Sequence, residues 1–234
     1  MGPPFLFILL SAAEDGVNMR HQEILKNIIP ELRADTSVTA VMLMGSVATN
    51  TEYPTSDLDL YLLGNKNKLQ TDLIGDILVE YFYITHETAQ SRLERAGSEV
   101  YYYLGSKIIY DLDGKLIKLM RSAINKYKNY RISEKDKADI RHWLYSTKIK
   151  IDTAVNNKDE IKTDFVTTTS SWKIVEAVFA INDVPLPPVS RVMQELPNLR
   201  QVPGNDWFAK LFGNDISKRT EAIIYIIDWA LMLL

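Results

Sequence analysis

Apolar positions follow two rhythms along this chain. Arg20–Arg33 sets Ile24, Leu25, Ile28, Ile29 and Leu32 on one stripe at helical spacing, which predicts an amphipathic helix. Val38–Met44 is an unbroken apolar run ending at Gly45, with the length and terminator of a buried strand. Thr49–Ser56, holding Asn50, Thr51, Pro54 and Thr55, reads as a loop or a short helix and turn. Leu58–Leu63 is a second strand, with Asp57 and Asp59 at its entrance. The spacing predicts a short helix over Lys66–Ile74, then a third strand over Ile77–Ile84 in which Glu80 is the one charged residue. Helical segments follow at Glu87–Arg95 and Glu99–Leu104, a short strand at Lys107–Tyr110 and a turn at Asp111–Gly114. Gly114–Lys128 is an amphipathic helix burying Leu116, Ile117 and Met120.

After about residue 130 the pattern is helical throughout, with helices at 134–155, 159–182, 188–196 and 216–233. Ser133 and Asp136 form a capping-box pattern at the first of them. Several threonines over Thr153–Thr169 leave the second weakly specified. The fold class is therefore α+β: a mixed sheet with flanking helices over 19–130, followed by an all-helical domain over 131–234. Residues 1–18 stand apart as an N-terminal extension. Its Pro3–Leu10 run looks like part of a signal peptide, but no basic residue precedes it, and Met19 opens the first capable helix. Ala222–Leu234 has thirteen residues including Asp228, short of the roughly 20 apolar residues of a bilayer span, so it reads as a buried helix and no membrane is expected.

Composition narrows the choice of partners. With 27 Lys+Arg against 30 Asp+Glu, the net charge of −3 argues against gripping long nucleic acid through its phosphates. Apolar residues at 46% and charged residues at 24% exclude disorder, collagen and coiled coil for the whole chain. The absence of cysteine excludes disulfides and a thiolate zinc site, and fits a reducing, cytoplasmic setting. His21, His86 and His142 are too scattered for a metal cluster. Lys115, Lys118, Arg121, Lys126, Lys128 and Arg131 read as a solvated helix face, and the four tryptophans as core. Lys173 facing a cleft and Tyr101–Tyr103 lining an acceptor pocket are the sharper alternatives to plain packing.

The chemistry concentrates in Met42–Leu62, where Gly45-Ser46 is followed after ten residues by Asp57-Leu58-Asp59-Leu60. Residues two apart on a strand share a face, so Asp57 and Asp59 align with Cβ atoms roughly 6.5–7 Å apart. Leu58, Leu60 and Leu62 then face a core. If Ile77–Ile84 pairs nearby, Glu80 brings a third carboxylate to the same side; Asp72 and Asp76 are its rivals. Two such charges 4 Å apart repel by about 4 kcal/mol at an effective dielectric near 20, so protons or a cation must offset them. A hard divalent cation such as Mg²⁺ accepts oxygen ligands and suits carboxylates that meet phosphates. A glycine allows close backbone approach, and free amides with the Ser46 hydroxyl can donate to phosphate oxygens.

This pattern resembles the nucleotidyltransferase superfamily of the DNA polymerase β type, most closely the bacterial aminoglycoside and lincosamide adenylyltransferases with their C-terminal helical domain. Lys107–Gly114 (KIIYDLDG) is similar to a common ending of that catalytic domain, and Phe179–Pro188 loosely resembles the aminoglycoside branch. The resemblance implies that Gly45 and Ser46 hold the triphosphate, that Asp57 and Asp59 bind Mg²⁺, and that Glu80 is a metal ligand or general base. It implies transfer of a nucleoside monophosphate, AMP from ATP, to a hydroxyl of a small molecule, an antibiotic in that branch, with release of pyrophosphate. A protein side chain or RNA end as acceptor, and a nucleotide-binding module without turnover, are the alternatives; relatives occur as monomers and homodimers. The chain departs from the pattern after Ser46, where VATNTEY replaces a small residue and another glycine.

Overall fold

The computed structural model describes residues 19–95 and 97–234; the Pro3–Leu10 run lies outside them. The chain divides into two compact units, parting between Lys128 and Asn129. Among the described residues no helix is long and apolar enough to cross a membrane.

The first unit is a five-stranded mixed sheet with helices on both faces. After α1 (Met19–Ala34) come β1 (Val38–Leu43), α2 (Gly45–Thr49), β2 (Leu58–Gly64), β3 (Lys68–Ile74) and β4 (Ile77–Thr85). Then follow α3 (His86–Arg95), a 3-10 turn (Gly97–Tyr102), β5 (Lys107–Asp111) and α4 (Lys115–Lys128). The strand order is β3-β4-β2-β1-β5, with β2 and β4 parallel and the other pairs antiparallel. Strands covered on both faces read as continuous apolar runs, which is the texture of β1 and β2. One face of β2, through Leu58, Leu60 and Leu62, packs with Val41, Leu43 and Val79 against the α1 stripe. The other, through Tyr61 and Leu63, packs with Ala40, Met42 and Ile84 against α3 and α4.

Two segments differ from the sequence expectation. Lys66–Ile74 is not a helix: Lys68–Ile74 is edge strand β3, joined to β4 by a two-residue hairpin at Gly75-Asp76. Gly75 supplies the positive φ, +66°, that such a turn needs at its first central position. β3 is largely exposed along its length, so burial imprints no alternation on it, and pairing with β4 decides its conformation. The Glu99–Leu104 segment is a tight 3-10 turn at Gly97–Tyr102. Tyr101 and Tyr103 are buried, and the Tyr103 hydroxyl lies 2.8 Å from that of Tyr61, so packing claims these two rings. The solvated-face reading of α4 holds for Lys115, Lys118, Arg121 and Lys128; Lys126 is half-buried and donates to the Leu93 and Glu94 carbonyls near the end of α3.

β2 ends at Gly64, where the chain passes close to Ser37 and the Asn65 amide donates to the Ser37 carbonyl at 3.1 Å. A Cβ at Gly64 would stand 2.0 Å from that backbone oxygen. Gly64→Ala is therefore expected to lower stability by about 1–3 kcal/mol, read as a lower urea midpoint; an unchanged midpoint would show that the crossing yields freely.

The second unit is helical: α5 (Glu134–Asn156), α6 (Glu160–Ile181), α7 (Val189–Glu195), α8 (Trp207–Leu211) and α9 (Ile216–Leu233), with a 3-10 turn at Leu196–Asn198. Its core joins Leu144 and Ile151 of α5, Val178 and Phe179 of α6, and Ile223 and Ile227 of α9. Trp207 is buried there, and Trp143, Trp172 and Trp229 pack against it. The Ser133 hydroxyl accepts from the Asp136 amide and caps α5, as the sequence predicts. In α6 the hydroxyls of Thr163, Thr167 and Ser171 donate to carbonyls four residues back, which satisfies these buried polar groups inside the helix.

Candidate active site

The parallel register of β2 and β4 sets Asp59 directly beside Glu80. Both project on the sheet face opposite Leu58, Leu60 and Val79, and both are half-buried. Asp57 precedes the first paired residue of β2 and is exposed. Carboxylate oxygens of Asp57, Asp59 and Glu80 lie within 4.8 Å of one another. The rivals stay outside this cluster. Asp72 pairs with Val79, which puts it on the other face from Glu80, and Asp76 forms an ion pair with Arg20 at 2.6 Å.

Gly45 opens α2 against this cluster. Its φ of +69° lies in the left-handed region, and a Cβ there would stand 2.1 Å from Asp59 Oδ2. The carboxylate thus occupies the space that any other residue's side chain would need. The Met44 amide donates to the Asp59 carbonyl at 2.9 Å, joining the end of β1 to β2 at the same point. Ser46 is half-buried in the first turn of α2. Asn50, in the left-handed conformation, ends α2, and its Oδ1 accepts from Lys107 Nζ at 3.1 Å.

Crowding shows in the protonation of Asp59. Burial, then the Asp57 charge, then a hydrogen bond and charge from Glu80 push its carboxyl up to about 7. Each of these causes penalises a second negative charge, and a cation among the three oxygens would reverse that. Oxygens on one octahedral Mg²⁺ sit about 3 Å apart when adjacent and about 4.2 Å apart when opposite. A triangle within 4.8 Å reaches that spacing by small side-chain rotations, so the three residues fit a hard divalent ion.

Residues 26–98 match the family model described as Polymerase beta, Nucleotidyltransferase, and the matched stretch contains Gly45, Ser46, Asp57, Asp59 and Glu80. That match supports a nucleotidyltransferase-type domain of the polymerase β kind in the N-terminal unit. The sequence matches no curated protein. Among solved structures, a nucleotidyltransferase-like protein from Exiguobacterium sibiricum 255-15 is similar at TM-score 0.48 and 9% identity, over 90% of this chain and 74% of its own. Within the matched stretch, Asp59 and Glu80 lie side by side on the paired strands β2 and β4, and Asp57 just precedes β2.

Two neighbouring side chains belong to no motif. Lys107 reaches α2 because β5 pairs with β1, setting Lys107 beside Leu43; nothing local to its sequence announces that. His21 is wholly buried, and its Nε2 lies 2.8 Å from the Ser56 carbonyl. Its one signal in the sequence is position, since it extends the α1 stripe of Ile24, Leu25, Ile28 and Leu32 by one more turn.

Proposed function

We propose that this nucleotidyltransferase moves a nucleoside monophosphate, AMP from ATP, to a hydroxyl of a small molecule and releases pyrophosphate. The observation that carries this reading is the convergence of Asp57, Asp59 and Glu80 within 4.8 Å beside Gly45. Those three carboxylates would hold Mg²⁺, which when bound neutralises their charge and that of the triphosphate. The Gly45 backbone and the Ser46 hydroxyl bind the phosphates, and the glycine's missing side chain leaves room for the Asp59 carboxylate against that backbone. Glu80, level with Asp59 on the adjacent strand, ligates the ion or takes the proton of the attacking hydroxyl. Positioning and charge complementarity supply the rate, with no covalent protein intermediate.

The helical unit has a pocket of its own. It has a cavity of about 240 Å³ lined by Tyr130, Asp136, Asp139, Lys173 and Glu176 over a floor including Ile132, Ile140 and Leu186. Lys173 is spent on Glu176 at 2.6 Å, so the lining keeps a negative balance. Such a pocket suits an amine-bearing molecule with an apolar body and repels a phosphate backbone.

Thermal unfolding with ATP, with and without Mg²⁺, tests the nucleotide half of this reading: a rise in midpoint of several degrees that needs both is expected. Labelled ATP then tests the acceptor half, using a panel of amino-bearing alcohols together with protein and RNA fractions. Label in the small-molecule fraction is expected. Label confined to protein or RNA rejects that acceptor, and the absence of any Mg²⁺-dependent shift rejects nucleotide transfer itself.

A further inference from the structure

We propose that His21 is a positioning residue for Asp57: its imidazole, buried under the loop, fixes the peptide from which the Asp57 carboxylate is presented. This rests on the metal-binding reading of the carboxylate cluster. The β2 ladder begins at Leu58, paired with Val79, and the contact with β1 reaches no further than the bond from the Met44 amide to the Asp59 carbonyl, so the ladders stop short of Asp57. Asp57 instead follows the turn Tyr53–Ser56, in which the Ser56 amide donates to the Tyr53 carbonyl at 3.0 Å and the Tyr53 amide to Ser56 Oγ at 2.9 Å. Those bonds shape the turn but tie it to nothing outside itself.

His21 supplies such a tie from α1. A carbonyl oxygen only accepts, so Nε2–H is the donor in the 2.8 Å contact with Ser56. That oxygen belongs to the peptide plane joining Ser56 to Asp57. Fixing it leaves the φ of Asp57 and its side-chain torsions as the remaining freedom of the carboxylate. Packing alone does not explain an imidazole here. The ring is fully buried, and among the described residues its Nδ1 has no hydrogen-bond partner, a desolvation cost that a leucine on the same stripe would avoid. The donor at Nε2 is what a leucine would lack. Residues that orient metal ligands typically change metal affinity or activity 10–100-fold when replaced, because ligand geometry tolerates little displacement.

His21→Leu and His21→Gln separate the donor from the bulk, since glutamine keeps an N–H donor on a side chain of similar reach. The readouts are Mg²⁺ affinity by calorimetry without nucleotide, kcat and KM for ATP, thermal midpoint, and amide exchange over residues 51–58 of the metal-free protein. His21→Leu is expected to keep the midpoint, weaken Mg²⁺ binding and kcat about tenfold, leave KM for ATP nearly unchanged and speed exchange over 51–58. His21→Gln is expected to restore most of each loss. Unchanged exchange and Mg²⁺ affinity in His21→Leu would overturn the proposal, as would equal losses in both variants that follow a fallen midpoint. Should the wild-type protein itself bind no Mg²⁺, the reading of the cluster falls, and the exchange of 51–58 alone decides whether His21 holds the loop.

Discussion

Asp59→Asn is expected to abolish nucleotidyl transfer while making the metal-free protein more stable at pH 8. Both halves follow from one carboxyl. Asp59 titrates near 7 in the fold against 3.8 for an ordinary aspartate, because burial, Asp57 and Glu80 all oppose its charge. Between those two values the folded chain holds a proton that the unfolded chain has released. Stability therefore falls as pH rises through this window, and the loss is complete above about 7. A shift of this size corresponds to roughly 2–4 kcal/mol, allowing for partial solvent access. The thermal midpoint of the metal-free wild-type protein should accordingly drop between pH 5 and pH 8. Asparagine carries no charge to suppress, so the variant should show a flatter profile lying above wild type at pH 8. Mg²⁺ at pH 8 should raise the wild-type midpoint and leave the variant where it was. Turnover should fall by about 10³-fold or more, since a ligand to the charge that stabilises the transferring phosphoryl group has been removed. A variant that keeps wild-type turnover, or whose midpoint follows pH as wild type does, would remove Asp59 from the centre of the site.

The sequence carries this site unevenly, and the physical reasons are local. Leu58 and Leu60 alternate with Asp57 and Asp59 because only the leucine face is buried at the start of β2, so the strand and its carboxylate side are readable there from the period. Glu80 is readable as the one charge in an apolar run, but its place beside Asp59 is set by the β2–β4 register, which no local pattern encodes. β3 is hidden for the opposite reason. An exposed edge strand has no core face to mark its period, and the hairpin signal at Gly75-Asp76 is two residues long. α8 spans five residues, too few for a helical stripe to declare itself. His21 is a polar residue where the stripe demands an apolar one, and its meaning depends on the Ser56 carbonyl 35 residues away.

Gly45→Ala is expected to cost about 10²-fold in turnover with the fold intact, and a second glycine supplies the control. Gly45 and Gly114 share a φ of +69°, so alanine strains the backbone alike at both. Such strain costs about 1–2 kcal/mol. They differ in surroundings: a Cβ at Gly114 meets nothing within 4 Å, whereas at Gly45 it falls 2.1 Å from Asp59 Oδ2 and 3.1 Å from its carboxyl carbon. Relief of that overlap requires the Asp59 carboxylate, or the start of α2, to move by roughly 1 Å, a displacement that commonly costs about 10²-fold in rate. Gly114→Ala should therefore lower the thermal midpoint and keep activity. Gly45→Ala should lower activity well beyond what its midpoint explains, and should lose the Mg²⁺-dependent thermal shift. Two variants losing the same stability, of which only one loses turnover, would assign the loss to contact with Asp59. If Gly45→Ala behaved as Gly114→Ala does, the close approach of α2 to the carboxylate would have no part in the reaction, and the glycine would serve only the turn.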